Sequence, residues 1–362
     1  MPGPLEGLRI VEMAGIGPAP FAGMMLADHG AEVIRVEREG LIGILNDPLL
    51  RSRRSISLDL KKEAAREVVR RLAAGADGLI EGYRPGVMER LGLGPDVLLG
   101  DNPKLVYGRV TGWGQRGPLA QEAGHDVNYL AVSGLLHGIG PKARPVVPVN
   151  YVADYAGGGM MLAFAMVAAL LHVQRGGQGQ VIDCAMSDGT ALIGALTYGM
   201  RAAGLWSDER ESNFLDGGDA AYGVYECSDG KFLAAGAIEP QFRKALLNGL
   251  GLPADAGKDE IAGAVSMRTR DEWVVHFAGI DACVAPVLTL EEAPGHPHNC
   301  ARGTFIDLDG VVQPGPAPRY AETVTSEPRA PRQAGADGEA ILSELGYSAG
   351  EITDLKGEGV LL

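Results

Sequence analysis

The sequence predicts an α/β fold: a doubly wound parallel sheet in a large N-terminal domain, followed by a smaller α+β domain. Three observations predict it. Short strand-like runs alternate with helical segments through the first half, the β-α-β pattern of a buried parallel sheet. Beyond residue 205 the pattern changes to hairpins with glycine-containing turns and short helices. The chain has 362 residues, 46% of them hydrophobic, which fits two domains better than one.

Residues 8–12 read as the first strand, 20–28 as a helix after the turn at Gly15, Gly17 and Pro18, and 31–37 as the second strand. Residues 55–60 alternate as a strand, and 62–74 form an amphipathic helix with Val68, Val69 and Leu72 inward. A strand at 78–81, a helix opening near Pro85 and a strand at 104–111 continue the alternation. In such a sheet the ligand crevice lies at the carboxyl ends of the strands. Residues 128–137 read as a helix and 141–148 as a proline-rich loop. Gly157, Gly158 and Gly159 then lead into an apolar helix ending near Arg175, and permit close approach of another helix or a ligand. The apolar run 160–171 is shorter than the roughly 20 residues that span a bilayer, so a buried core helix is predicted rather than membrane insertion. A last strand at 180–184 and a helix at 187–205 complete this half.

Residues 222–227 and 231–238 read as a hairpin around Asp229 and Gly230. Helices follow at 240–250, 258–264 and 270–278, then a strand at 282–287 and a hairpin at 304–313. Two short helices at 337–345 and 349–356 are predicted to return to the first domain. The expected domains are 1–205 (large), 221–313 (small) and 333–362 (returning helices), joined by linkers at 206–220 and 314–332.

A net charge of −14 and a pI near 5.0 argue against nucleic acid or anionic membrane as partner. The four cysteines form no C-x-x-C and no signal peptide precedes them, so a reducing, cytoplasmic compartment is expected. The seven scattered histidines predict no metal site.

The stretch Gly124-His125-Asp126-Val127-Asn128-Tyr129 places a histidine and a carboxylate behind a glycine at a helix start, as half of a proton-transfer site. The other half is expected between Asn150 and Asp154. Taken alone, Asp154 reads better as a helix cap. The Gly15-x-Gly17 pair lacks the third glycine of a dinucleotide loop and reads as a tight turn. Arg38, Arg51, Arg53, Arg54, Lys61 and Lys62 cluster in an otherwise acidic chain, either as a phosphate-binding patch or as a solvated face.

Several segments together resemble the class III CoA-transferase superfamily: Glu6 to Glu12, Leu26 to Glu37, Arg53 to Lys61, and Gly124 to Tyr129. Within it, Asn213 to Gly218 and Gly236 to Phe242 resemble the α-methylacyl-CoA racemases. The resemblance spans essentially the whole chain. It implies a Rossmann-like large domain whose parallel sheet is built from both chain ends, a small α+β domain, and an interlocked homodimer. It implies an acyl-CoA substrate, CoA being part of the substrate, with no metal or redox cofactor. By matched motif, His125 and Asp154 are the catalytic pair and Glu239 supports His125. Arg38, Leu58, Asp59, Leu60, Lys61 and Gly124 to Tyr129 (Asp126, Val127 and Asn128 included) hold CoA, with Tyr83, Arg84 and Asn150 in support. Two departures stand out: Asp219-Ala220-Ala221 replaces an Ala-Pro-aromatic sequence, and residues 41–50 differ locally.

Racemisation beside a thioester removes an α-proton and returns one to the opposite face, so it needs two groups and a stabilised enolate. His125 and Asp154 supply the groups, with backbone N–H donors at the helix start near Asp126 for the enolate. Asp154 must keep a proton near neutral pH, which burial favours. The alternative implied by the superfamily is a CoA-transferase with Asp154 as nucleophile. His125, and the lack of a glycine-rich covering loop, favour the racemase.

Overall fold

A computed structural model describes residues 3–38, 46–325 and 327–362; the first half of the divergent 41–50 segment lies outside them. The chain forms two compact units, one of Met1–Ser133, Val149–Ile193 and Cys300–Leu362, the other of Gly134–Pro148 and Gly194–Asn299.

The first unit follows the alternation read from the sequence. Its elements are β1 (Arg9–Met13), α1 (Pro18–Asp28), β2 (Glu32–Glu37), β3 (Arg53–Ser57), α2 (Glu63–Ala74), β4 (Gly78–Glu81), α3 (Val87–Arg90), α4 (Pro95–Asp101) and β5 (Val106–Thr111). They continue with α5 (Asp126–Val132), a π-helix (Tyr151–Met160) running directly into α6 (Met161–Gln174), β6 (Gln180–Ala185) and α7 (Met186–Ile193). The six strands form one parallel sheet in the order β3-β2-β1-β4-β5-β6. β1 to β5 are largely buried because helices cover them, whereas the edge strand β6 is exposed over most of its length; Val68, Val69 and Leu72 of α2 lie in one core with Val11, Ile34 and Leu79.

Some boundaries move for local reasons. The helix expected to reach residue 137 stops at Val132, because Gly134 takes a left-handed conformation (φ 86°) and a 3₁₀ turn follows. The apolar helix is longer than its run of apolar side chains. With the π-helix it extends over Tyr151–Gln174, 24 residues, long and apolar enough by length and composition to cross a membrane. It is not buried all round. Leu162, Ala163, Met166, Ala169 and Leu170 face the core, whereas Met160, Phe164, Val167 and Leu171 are exposed.

The second unit comprises α8 (Ala195–Ala202), β7 (Tyr222–Glu226), β8 (Phe232–Gly236), α9 (Pro240–Leu250), α10 (Lys258–Val265), α11 (Arg270–His276) and β9 (Val284–Pro286). Its sheet runs β7-β8-β9, antiparallel, over a core that includes Tyr225, Leu246, Ile261 and Trp273.

After α12 (Pro297–Arg302), the hairpin β10 (Phe305–Leu308) and β11 (Val311–Pro314) falls in the first unit rather than the small domain. The reason is specific: buried Arg51 donates to the Gln313 side chain at 3.1 Å and to the Pro314 carbonyl at 2.7 Å. α13 (Gly338–Glu344) and α14 (Ala349–Gly357) do return to the first unit's core through Ile341, Leu342, Ile352 and Leu355. The sheet itself is not built from both chain ends. All six strands precede residue 186, and the C-terminus adds helices and one antiparallel bridge, Leu58 to Leu361.

Candidate functional site

The sheet changes its direction of growth between β1 and β4, and crevices form at such switch points, beyond the carboxyl ends of the strands. The turn after β1 brings Gly17 there in a left-handed conformation (φ 70°), which suits glycine. A side-chain carbon added at Gly17 would lie 3.6 Å from Asp154 Oδ2, so this turn and the Asp154 carboxyl are neighbours.

Asp154 reaches that place on the π-helix. Such a helix bonds i to i+5, so its first N–H groups lack acceptors within it. Buried Asp126, the first residue of α5, supplies one: its Oδ2 accepts the N–H groups of Ala153 at 2.7 Å and Asp154 at 2.8 Å. Asp154 is therefore not the cap that its position suggests; Asp126 caps in its place. Asp126 cannot be an exposed base either, being 4% exposed. Three glycines let other helices close on this segment. A side-chain carbon at Gly157 would meet Thr190 of α7 at 2.7 Å, which settles their role as helix packing.

The Asp154 carboxyl is half-buried and accepts from the Asn150 amide at 3.2 Å. Burial first, then the charge of Asp126, pushes it above the ordinary aspartate range; the Asn150 bond and His125 pull the other way. Val149, just before Asn150, sits at φ 60°, a strained conformation for a β-branched residue.

His125 precedes α5 in an extended conformation, with an exposed side chain. Its backbone N–H donates to Asn128 Oδ1 at 3.0 Å, so Asn128 fixes the helix start. The Tyr129 hydroxyl donates to the Gly124 carbonyl, and its ring packs edge-on against Trp113 at 4.8 Å. Burial, followed by the Asp154 charge, raises the Tyr129 hydroxyl's pKa, and Arg84 opposes this. Arg84 is exposed and Tyr83 half-buried in the turn after β4, where buried Glu81 accepts the Tyr83 N–H at 2.7 Å. Val127 is half-buried, and no contact in the structure gives it a distinct role.

The basic cluster divides, and neither alternative describes all of it. Arg51 and Arg53 are buried: Arg51 pairs with Asp28 at 2.5 Å and Arg53 with Glu12 at 3.0 Å. Arg54 bridges Glu32 at 2.5 Å and Glu344 at 2.6 Å, and the Lys62 ammonium donates to the Glu358 carbonyl. Arg38, after β2, and Lys61, after β3, remain as exposed cations. Leu58 is buried at 1% exposure, Asp59 and Leu60 are half-buried, and Asp59 Oδ1 accepts the Lys61 N–H at 3.2 Å.

Sequence reasoning missed the capping role of Asp126 and the buried pairs of Glu12 with Arg35 and Arg53. Arg35 also donates to the Gly15 carbonyl at 3.3 Å, bracing the turn beside Asp154. An acid inside an otherwise apolar strand, as at Glu12, was the available signal. Glu239 belongs to the second unit, where it precedes α9 with an exposed side chain that makes no capping bond.

Residues 5–337 match the sequence signature of CoA-transferase family III. The chain is 45% identical over 373 aligned residues to alpha-methylacyl-CoA racemase of Mus musculus, covering 99% of this chain and 97% of that one. It is 43% identical to alpha-methylacyl-CoA racemase of Homo sapiens, with the same coverage. Among solved structures it is similar to a CAIB/BAIF family protein from Brucella suis, with TM-score 0.81, 29% identity, and 95% and 100% of the two chains covered.

Proposed function

The chain belongs to CoA-transferase family III, and we propose that it is an isomerase interconverting (R)- and (S)-2-methylacyl-CoA thioesters. The His125 imidazole takes the α-proton from one face, leaving the electron pair in a thioester enolate. The Asp154 carboxyl returns a proton to the other face. The opposite enantiomer reacts with the roles exchanged, so no electrons are gained or lost and no metal or redox cofactor is required. By the resemblance to the racemases, Glu239 of the second unit is proposed as a third catalytic group. Backbone N–H groups near the start of α5 hold the enolate oxygen.

The observation that carries this reading is the Asp154 carboxyl, raised by burial and bound by Asn150 in the neighbourhood of His125. A raised carboxyl suits a proton donor better than a nucleophile. The rest of the acyl-CoA would run along the strand ends. Arg38 follows β2, residues 58–61 follow β3, Tyr83 and Arg84 follow β4, and the segment to Tyr129 follows β5. These strand ends span about 19 Å at about 4.8 Å per strand, a length suited to an extended ligand.

The working form we propose is a homodimer in a reducing, cytoplasmic compartment. The exposed stripe of Met160, at the end of the π-helix, with Phe164, Val167 and Leu171 of α6 supports the dimer, and cysteines that form no disulfide suit such a compartment.

The test is exchange of the α-proton of a 2-methylacyl-CoA with solvent deuterium, followed by NMR. His125→Ala and Asp154→Ala are each expected to slow it by about 10²–10⁴-fold. Wild-type exchange in both would end the two-base assignment. Hydroxylamine trapping of Asp154 after acyl-CoA addition would reassign it as a transferase nucleophile.

A further inference from the structure

Glu12 lies on β1, an interior strand, with none of its side chain exposed, and two buried arginines meet on it. Arg35, its register partner on β2, pairs with one carboxylate oxygen. Arg53, from β3, reaches past β2 to the other at 3.0 Å. Each arginine also holds a backbone carbonyl. Arg35 donates to that of Gly15 at 3.3 Å and Arg53 to that of Pro20 at 2.6 Å, so the two held carbonyls flank Gly17. Gly23 makes room for this arrangement. A side-chain carbon there would overlap the Glu12 carboxylate and lie 2.6 Å from Arg53 Nη2.

Burial of the strand does not by itself call for three charges. An apolar residue would fill position 12 without taking a carboxylate and two guanidiniums out of water. What the charges add is direction, because a guanidinium presents its N–H groups in a rigid fork. The segment they hold, Gly15 to Pro20, is the one that meets Asp154. A side-chain carbon at Gly17 would stand 3.6 Å from Asp154 Oδ2. Immediately beyond it, α1 lies closely on the π-helix. A carbon added at Gly159 would be 3.0 Å from the Pro18 carbonyl, and Phe21 stacks on Tyr155 at 4.9 Å.

We infer that Glu12 is a positioning residue: through Arg35 and Arg53 it fixes the turn from Gly15 to Pro20 against the Asp154 carboxyl and limits the water that reaches it. Asp126, His125 and Tyr129 are the ionisable groups that interact with that carboxyl, and Glu12 is not one of them, so its influence travels through the turn. For the reaction rate the inference rests on the proposed role of Asp154; for the state of the carboxyl it does not.

The experiment follows the Asp154 carboxyl by carbon NMR in the full chain carrying isotope-labelled aspartate, with Asp154→Asn identifying its signal. Deuterium exchange supplies kcat and KM. Glu12→Gln loosens the turn, admits water and moves the Asp154 titration down toward the ordinary aspartate range. It lowers kcat about tenfold with KM little changed. Arg35→Lys keeps a cation beside Glu12 but lacks the fork that also reaches Gly15, and it moves both readouts the same way. Asp28→Asn is the control. Asp28 is also buried and pairs with Arg51, away from the turn, so this variant melts earlier while both readouts stay at wild type. A wild-type titration or a wild-type kcat in both Glu12→Gln and Arg35→Lys overturns the inference, as does an Asp28→Asn variant that moves the titration as far. Arg35→Lys decides the matter if Glu12→Gln does not fold. A wild-type chain that exchanges no α-proton removes the catalytic reading of Asp154, while the titration still decides whether Glu12 holds the turn.

Discussion

Replacing Asp126 tests directly how the fold delivers Asp154. One buried carboxylate oxygen accepts two N–H groups of the π-helix, at 2.7 and 2.8 Å, where that helix provides no acceptor of its own. Asp126→Ala leaves both donors buried and unpaired. A hydrogen bond to a charged group contributes about 1.5–3 kcal/mol, so the variant, losing two, loses about 3–6 kcal/mol. For a unit of this size, at about 2–4 °C per kcal/mol, that lowers the melting temperature by about 6–24 °C. Asp126→Asn keeps one acceptor oxygen for the two donors. It sets an amide where Oδ1 has no partner among the described residues, so its loss is smaller, about 1–3 kcal/mol. Loosening the first π turn also displaces Asp154, and a shift of about 1 Å costs about 10²-fold in rate. Thermal melts by circular dichroism and deuterium exchange should both rank wild type above Asn and Asn above Ala. An Ala variant melting within about 2 °C of wild type and exchanging at the wild-type rate would refute the reasoning.

Three further outcomes follow from the same structure. Burial raises the folded Asp154 carboxyl above its ordinary value of 3.8, so the folded chain binds this proton more tightly than the unfolded chain does. Ionisation therefore costs stability, by nothing below 3.8 and by the full amount above the raised folded value. Asp154→Asn, which cannot ionise, should melt above wild type in mildly alkaline buffer and level with it in acid; a gain that grows on acidification would contradict this. Arg38→Ala and Lys61→Ala remove the two exposed cations after β2 and β3, and calorimetry should show free CoA binding weakened by about 1 kcal/mol each, with unchanged affinity removing them from the site. Phe164→Glu places a charge in the exposed stripe of α6, and light scattering should then find monomer where wild type is dimer, whereas a monomeric wild type would end the dimer proposal.

Much of this was legible in the residues, because the signals were local. The aliphatic runs at β1, β2, β4 and β5 and the period of α2 specify their own conformations, and the turn at Gly17 depends only on backbone freedom. The motif residues His125 and Asn128 also act locally, since Asn128 fixes the N-terminus of the helix that His125 precedes. Partner choice is different. Nothing adjacent to Arg51 indicates that it pairs with Asp28 and with Gln313, 262 residues away, rather than meeting a phosphate. The length of the helix carrying Asp154 was misjudged because apolar side chains mark which face is covered, while helix length is set by hydrogen bonds and caps.

The sequence by itself determined an α/β protein with a parallel sheet and a second α+β unit, and its motifs singled out His125 and Asp154 for examination. Periodicity and motif spacing act over a few residues and survive without knowledge of the fold. Only the tertiary structure decided that Asp126 rather than Asp154 is the cap, that most of the arginine cluster is internally paired, and that α6 exposes one apolar face. Each of those outcomes depends on which distant group takes up a buried donor or charge, and that follows from packing rather than from chain order.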